Sequence, residues 1–259
     1  MRKKAILVVS YGTSHKEARE KSIDAIEKRI KEEFQGYKIY RAFTGKRVVK
    51  KMEQTGTRVM ILAEALEKLK NDGIQELIVQ PTYVTNGTEN DNMIGKIKAV
   101  SGEFQRIAIG KPLLNDEGDS KKLAEVIANQ CVVEENEVLL LMGHGTSAFG
   151  NLMYHKLNEV FQNMGYKNIL IAAMKGEPSF QEAQRQLEHL KVKKVILKPL
   201  MIVAGEHVKK DMAGKENSWK SELKKKGYQV QCQMRGLGEF VEVQEQFIKH
   251  INEVLGLKE

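Results

Sequence analysis

The chain has 259 residues, 41% of them hydrophobic, 29% charged and only 4 proline, which allows one large core or two small ones and excludes a disordered or low-complexity protein. Its net charge of +8 suits a nucleic acid, a membrane surface or a small polyanion, but the lysines are scattered over helix faces without any zinc-finger, recognition-helix or aromatic RNA-binding signature, so nucleic acid is not expected as a partner. No stretch approaches the ~20 apolar residues of a membrane span, and Cys131 and Cys232 are too far apart for a CxxC motif, so they read as free thiols of a reducing compartment; no membrane partner and a cytoplasmic location are expected.

In chain order, Met1-Arg2-Lys3-Lys4 before Ala5-Ile6-Leu7-Val8-Val9 has the basic start of a signal peptide. The apolar run is too short and lacks a small-residue cleavage site, so residues 6–10 read as a buried strand. Ser14 then stands three residues before Glu17, the spacing of a capping box that opens a helix. Further strands are expected at 38–43, 76–81, 106–109, 137–142, 168–174, 194–199 and 229–234, with amphipathic helices between them. Continuous apolar runs such as Val138-Leu139-Leu140-Leu141-Met142 suit strands covered on both faces, as in a parallel sheet. The last helix carries Phe240, Val243, Phe247, Ile251 and Val254 at steps of three and four.

Three segments recur in the same order. Val9-Ser10-Tyr11-Gly12-Thr13-Ser14 matches Met142-Gly143-His144-Gly145-Thr146-Ser147, and Tyr40-Arg41-Ala42-Phe43-Thr44-Gly45 matches Ile171-Ala172-Ala173-Met174-Lys175-Gly176. The run from Gln80 to Glu89 matches the run from Lys198 to His207. The expected fold is therefore α/β with two pseudo-symmetric lobes, 1–132 and 133–259, each a parallel sheet of about four strands flanked by helices. All the matched segments end strands, the edge at which open α/β sheets bind ligands, and lobes that face each other would line one cleft with them.

Of the six histidines, His155, His189 and His250 fall in amphipathic helices and read as surface or packed residues, and His15 stands at a helix start. His144 and His207 each follow a strand and have glycine close by, where the backbone turns tightly and a ligand approaches. Neutral imidazole binds cobalt, iron, nickel and zinc alike. Glu89 holds the repeat position of His207, and Glu177 follows the strand at 168–174, so carboxylates from separate loops accompany the histidines. The competing reading of Glu89 is an acid favouring its helix N-terminus. Gly143-His144-Gly145-Thr146-Ser147-Ala148 also fits the dinucleotide fingerprint, but Lys175 occupies the place of the ribose-binding acid and Ser10 replaces the first glycine in the other copy. No phosphate-loop motif is present, so no nucleotide is expected.

Leu7-Val8-Val9-Ser10-Tyr11-Gly12-Thr13-Ser14, Tyr40-Arg41-Ala42-Phe43-Thr44, Met142-Gly143-His144-Gly145 and Pro199-Leu200-Met201-Ile202-Val203-Ala204-Gly205-Glu206-His207, followed by Lys210-Asp211-Met212-Ala213-Gly214, Ser218-Trp219-Lys220 and Gly236-Leu237-Gly238-Glu239, together resemble the anaerobic cobalt chelatases. These are sirohydrochlorin cobaltochelatases of the anaerobic cobalamin pathway, class II chelatases related to ferrochelatase. The resemblance implies a tetrapyrrole cleft between two lobes, cobalt(II) as substrate metal, no ATP, and metal-binding histidines at His144 and His207 with a glutamate at Glu89. The implied tetrapyrrole, sirohydrochlorin or its reduced precursor, is expected against Ser10, Tyr11, Gly12, Thr13, Thr85, Asn86 and Lys175. The sequence departs from the family at Lys175, where a glutamate is common; Glu177, two residues on, is expected to replace it as carboxylate and metal ligand. Lys175, Lys46 and Arg41 are the expected partners of the substrate's carboxylates. A metal or tetrapyrrole carrier is the alternative from another functional class, and no motif specifies an oligomeric state.

Overall fold

The computed structural model describes residues 2–131 and 133–257; Met1, Val132, Lys258 and Glu259 lie outside the described residues. Close packing divides the chain into two units, Met1–Leu113 with Gly238–Glu259, and Leu114–Leu237.

The first unit runs β1 (Lys4–Ser10), α1 (Lys16–Lys21), α2 (Ile23–Glu33), β2 (Lys38–Phe43), α3 (Lys46–Gln54), α4 (Leu62–Asn71), β3 (Glu76–Pro81), α5 (Thr88–Ala99) and β4 (Arg106–Ile109). Its sheet is parallel throughout, in the order β2-β1-β3-β4. An inner strand covered by helices on both faces has no solvent side, which explains why β1 reads as an unbroken apolar run. Leu7 and Val9 join Leu62, Leu66 and Leu69 of α4 in one core cluster. Ile6 and Val8, on the opposite face by the two-residue period of a strand, are equally buried. Each such side chain contributes about 1.5–3 kcal/mol by leaving water.

The second unit repeats the plan with α6 (Glu117–Gln130), β5 (Glu137–Gly143), α7 (Ala148–Asn163), β6 (Ile169–Ala173), α8 (Phe180–Leu190), β7 (Lys194–Leu200), α9 (Trp219–Lys225) and β8 (Gln229–Cys232). Its sheet is again parallel, in the order β6-β5-β7-β8, the same order as the first. Val138, Leu140 and Met142 of β5 pack with Phe180, Leu187, Trp219 and Leu223, and the Phe180 and Trp219 rings stack with centroids 4.3 Å apart. The last helix, α10 (Val241–Leu255), belongs to the first unit, where it packs on α2, β3 and β4. Arg29 pairs there with Glu245, Lys111 with Glu253, and the buried His250 ring meets the carbonyl of Lys111 through Nδ1.

Two expectations need correction. A single cut between 132 and 133 does not describe these units, because α6 packs against α7 in the second and α10 returns to the first. The capping box at Ser14 and Glu17 is not how α1 begins: its N-cap is His15, whose backbone N–H donates to the hydroxyl of Thr13 at 3.2 Å. Thr13 is buried, whereas Ser14 is partly exposed.

Candidate active site

In the second unit the register puts Gly143 level with Ala173 on one side and Leu200 on the other, so the loops after β5, β6 and β7 leave one edge together. This brings His144 and His207 side by side, with ring centroids 5.0 Å apart and ring planes inclined by 69°. Nδ1 of His144 lies 2.9 Å from the carbonyl oxygen of Gly145, and Nδ1 of His207 lies 2.8 Å from Oδ2 of Asp211. A carbonyl and a carboxylate oxygen only accept, so each neutral ring carries its proton on Nδ1 and its lone pair on Nε2. That is the tautomer in which imidazole ligates a metal while its other nitrogen donates to an oriented acceptor.

The fold fixes these rings through glycine and two buried helix residues. Gly145 has φ +79, and a side chain there would meet the backbone of Lys175. Tyr154 of α7 lies beneath, hydrogen-bonded to the backbone of His144 and Gly145, and burial pushes its hydroxyl up to about 12. A Cβ on Gly143 would come within 2.8 Å of that ring. Asn151, one helical turn earlier, accepts from Thr146 N at 2.9 Å and donates to the carbonyl of Lys175 at 3.2 Å, tying the loops after β5 and β6 together. His207 opens a π-helical turn, Val208–Met212, whose Ala213 N–H bonds to the carbonyl of Val208; such turns often mark functional sites.

Glu177 does not complete a ligand set. Its side chain is exposed and Oε2 accepts from Ser179 N at 2.7 Å, in front of α8. Among the described residues, no group of three or more His, Cys, Asp or Glu side chains is placed to hold a metal ion. The structure thus brings His144 and His207 together and leaves Glu177 outside a three-ligand group. Lys175 is exposed.

In the first unit, Ser10 is level with Phe43 and Val9 with Pro81, so the loops after β1, β2 and β3 share an edge in the same way. Tyr11 is 48% exposed, and Gly12 and Asn86 are partly so. Ser10, Thr13 and Thr85 are buried; the hydroxyl of Ser10 bonds that of Thr82 at 2.6 Å, within the structure of the edge. Asn86 Oδ1 accepts from Asn90 at 2.6 Å. Glu89 is exposed in the first turn of α5, where an acid suits the helix dipole. Arg41 differs from its expected role: its guanidinium pairs with Glu27 and Asp24 over the covered face of the sheet, which neutralises it. Lys46 is exposed and joins no ion pair among the described residues.

A family model described as cobalt chelatase (CbiK) matches residues 4–256. The chain belongs to the CbiK cobalt chelatase family. It is 30% identical to the sirohydrochlorin cobaltochelatase of Salmonella typhimurium over 258 residues, which is 98% of this chain and 97% of the relative. It is 26% identical to the sirohydrochlorin cobaltochelatase CbiKC of Nitratidesulfovibrio vulgaris, across 93% of this chain and 86% of that one. Among solved structures the fold matches SirB from Bacillus subtilis with Fe3+, at a TM-score of 0.68 and 18% identity over 97% of this chain and 95% of that one. It also matches CbiX, the terminal enzyme for biosynthesis of siroheme in denitrifying bacteria, at a TM-score of 0.61 and 16% identity over 96% and 99%.

Sequence reasoning missed Asp211, Asn151 and Tyr154. An acid four residues after a candidate histidine at a helix start is a usable signal for Asp211. For Asn151 and Tyr154 the signal is a pair of polar-tipped residues three apart on the covered face of α7.

Proposed function

We propose that this CbiK-family chelatase inserts cobalt(II) into sirohydrochlorin without nucleotide hydrolysis. The observation that carries the reading is the His144–His207 pair, 5.0 Å between ring centroids, with both Nδ1 atoms held by acceptors. The reaction exchanges one metal ion for two pyrrole N–H protons. His144 and His207 take cobalt through Nε2, replacing part of its water shell, and hand it to the ring nitrogens. Glu89 and Glu177, both exposed carboxylates, receive the two protons and pass them to solvent. Tyr11, Gly12 and Asn86 meet the macrocycle, and Lys175 a peripheral carboxylate.

The test is a multiple-turnover assay with metal-free sirohydrochlorin and Co(II), Fe(II) or Ni(II) in turn, followed by ring absorbance. Conversion of many ring equivalents per protein, fastest with Co(II), is expected. Conversion that stops at one equivalent makes the protein a carrier, and faster turnover with iron or nickel replaces the metal in this reading.

A further inference from the structure

Several cations on the helices of this protein have an acid at helical spacing. Lys21 pairs with Glu17, Arg29 with Glu33, Lys68 with Asp72 and Lys249 with Glu253, all four residues apart. Helix α3 has no such pair among the described residues and gathers four cations. Lys46, Arg47, Lys50 and Lys51 are all exposed, and none joins an ion pair among the described residues. They form two like-charge rows at four-residue spacing, 46 with 50 and 47 with 51, which repel. Lys46 and Arg47 also occupy the first turn, which has no acid and where the helix dipole disfavours positive charge. A local rule broken in two ways on one short helix, with no compensating contact, points to a ligand that supplies the missing negative charge.

The position of the helix points the same way. Thr44 N donates to the carbonyl of Ser10 and Gly45 N to that of Tyr11, at 2.9 and 3.0 Å, so α3 starts on the strand-end edge of the first sheet. The Tyr11 ring lies across its head: a Cβ on Gly45 would sit 3.1 Å from Tyr11 Cε1. Tyr11 nevertheless stays 48% exposed. A half-exposed aromatic face beside a row of ammonium and guanidinium groups matches a flat, conjugated ligand with carboxylates on its rim.

We propose that α3 and Tyr11 form a capture site for the rim carboxylates of the acidic tetrapyrrole, setting its binding and not the metal step. The proposal rests on the chelatase reading and names a binding surface within it. The test compares wild type with the four-fold variant Lys46→Gln, Arg47→Gln, Lys50→Gln, Lys51→Gln. The control is Lys224→Gln with Lys225→Gln, in the last turn of α9, where cations suit the dipole. Binding of metal-free sirohydrochlorin is measured by absorbance at low and high salt, and turnover with Co(II) alongside it. Wild-type binding is expected to weaken with salt. The four-fold variant is expected to bind roughly tenfold more weakly at low salt, to lose most of that salt dependence, and to keep kcat within about twofold at saturating ring. Its melting temperature is expected to rise by about 1–2 °C as the repulsion is relieved, which separates lost capture from lost folding. The control should bind as wild type. A four-fold variant with wild-type affinity and salt dependence overturns the capture site while wild-type turnover stands. Absence of wild-type turnover overturns the chelatase reading instead, and ring binding still decides whether α3 holds the acidic macrocycle.

Discussion

At His207, one carboxylate fixes what the ring offers. Asp211 holds Nδ1–H at 2.8 Å and so keeps the lone pair on Nε2 of a ring whose centroid lies 5.0 Å from that of His144. Asp211 is a positioning residue, and losses of such partners commonly cost ~10–100-fold in metal affinity. Asp211→Ala is therefore expected to raise KM for Co(II) by that factor, with KM for the ring unchanged. Asp211→Asn, which keeps an acceptor, should recover part of the loss. Lys175 and Glu177 divide differently. Glu177→Gln removes a proton acceptor but keeps its size, so kcat should fall with KM for Co(II) unchanged, since Glu177 lies outside any three-ligand group of the described residues. Lys175→Ala should raise KM for the ring alone. Steady-state kinetics with each substrate varied in turn checks all four variants. Both histidines were legible in the sequence because they follow apolar runs and have glycines beside them. Asp211 was not, since an acid inside a helical stretch looks like any solvated charge until its partner is known. Arg41 was misread for the converse reason: a cation at a strand end looks available until Glu27 and Asp24 are seen to neutralise it.

The elements that carry the pair behave as one support. β5 ends in Gly143, whose missing side chain leaves room for the buried Tyr154 ring of α7. Gly143→Ala puts a methyl within 2.8 Å of that ring, and overpacking of this kind costs about 1–3 kcal/mol. Because the ring also bonds the backbone of His144, the variant should lose cobalt affinity as well as stability. Leu140→Ala, on the same strand but inside the core cluster, should cost about 2–5 kcal/mol and leave cobalt affinity unchanged in the folded fraction. Denaturant melts paired with cobalt titrations separate the two. The strands themselves were readable to within two residues at every end, and the inner ones are continuous apolar runs because burial on both faces demands it. The edge strand β8 was expected over 229–234 and forms only over Gln229–Cys232. It has one hydrogen-bonding neighbour, β7, so its ladder ends where that register ends. The start of α1 was misplaced by one residue because Thr13, Ser14 and His15 offer competing caps and sequence alone does not rank them.

For the molecule as a whole, the sequence announces a repeated plan and the two sheets repeat one strand order. Where one unit stops and the other starts was not legible. The apolar stripe of α10 says that the helix covers a core, not which one, and it covers the first. Removing residues 241–259 is thus expected to strip the cover from α2 and β3 and to abolish cooperative unfolding of the first unit, seen as lost protection of β1 and β3 amides in hydrogen exchange, while β5 and β7 stay protected. The central claim, that this fold inserts cobalt by way of a histidine pair, is tested most directly by multiple turnover of sirohydrochlorin with Co(II) in wild type, His144→Ala and His207→Ala, each shown by thermal melt to be folded. The account predicts many turnovers for wild type and loss of at least about a hundredfold in kcat/KM for each variant. Wild-type rates in both folded variants would contradict it.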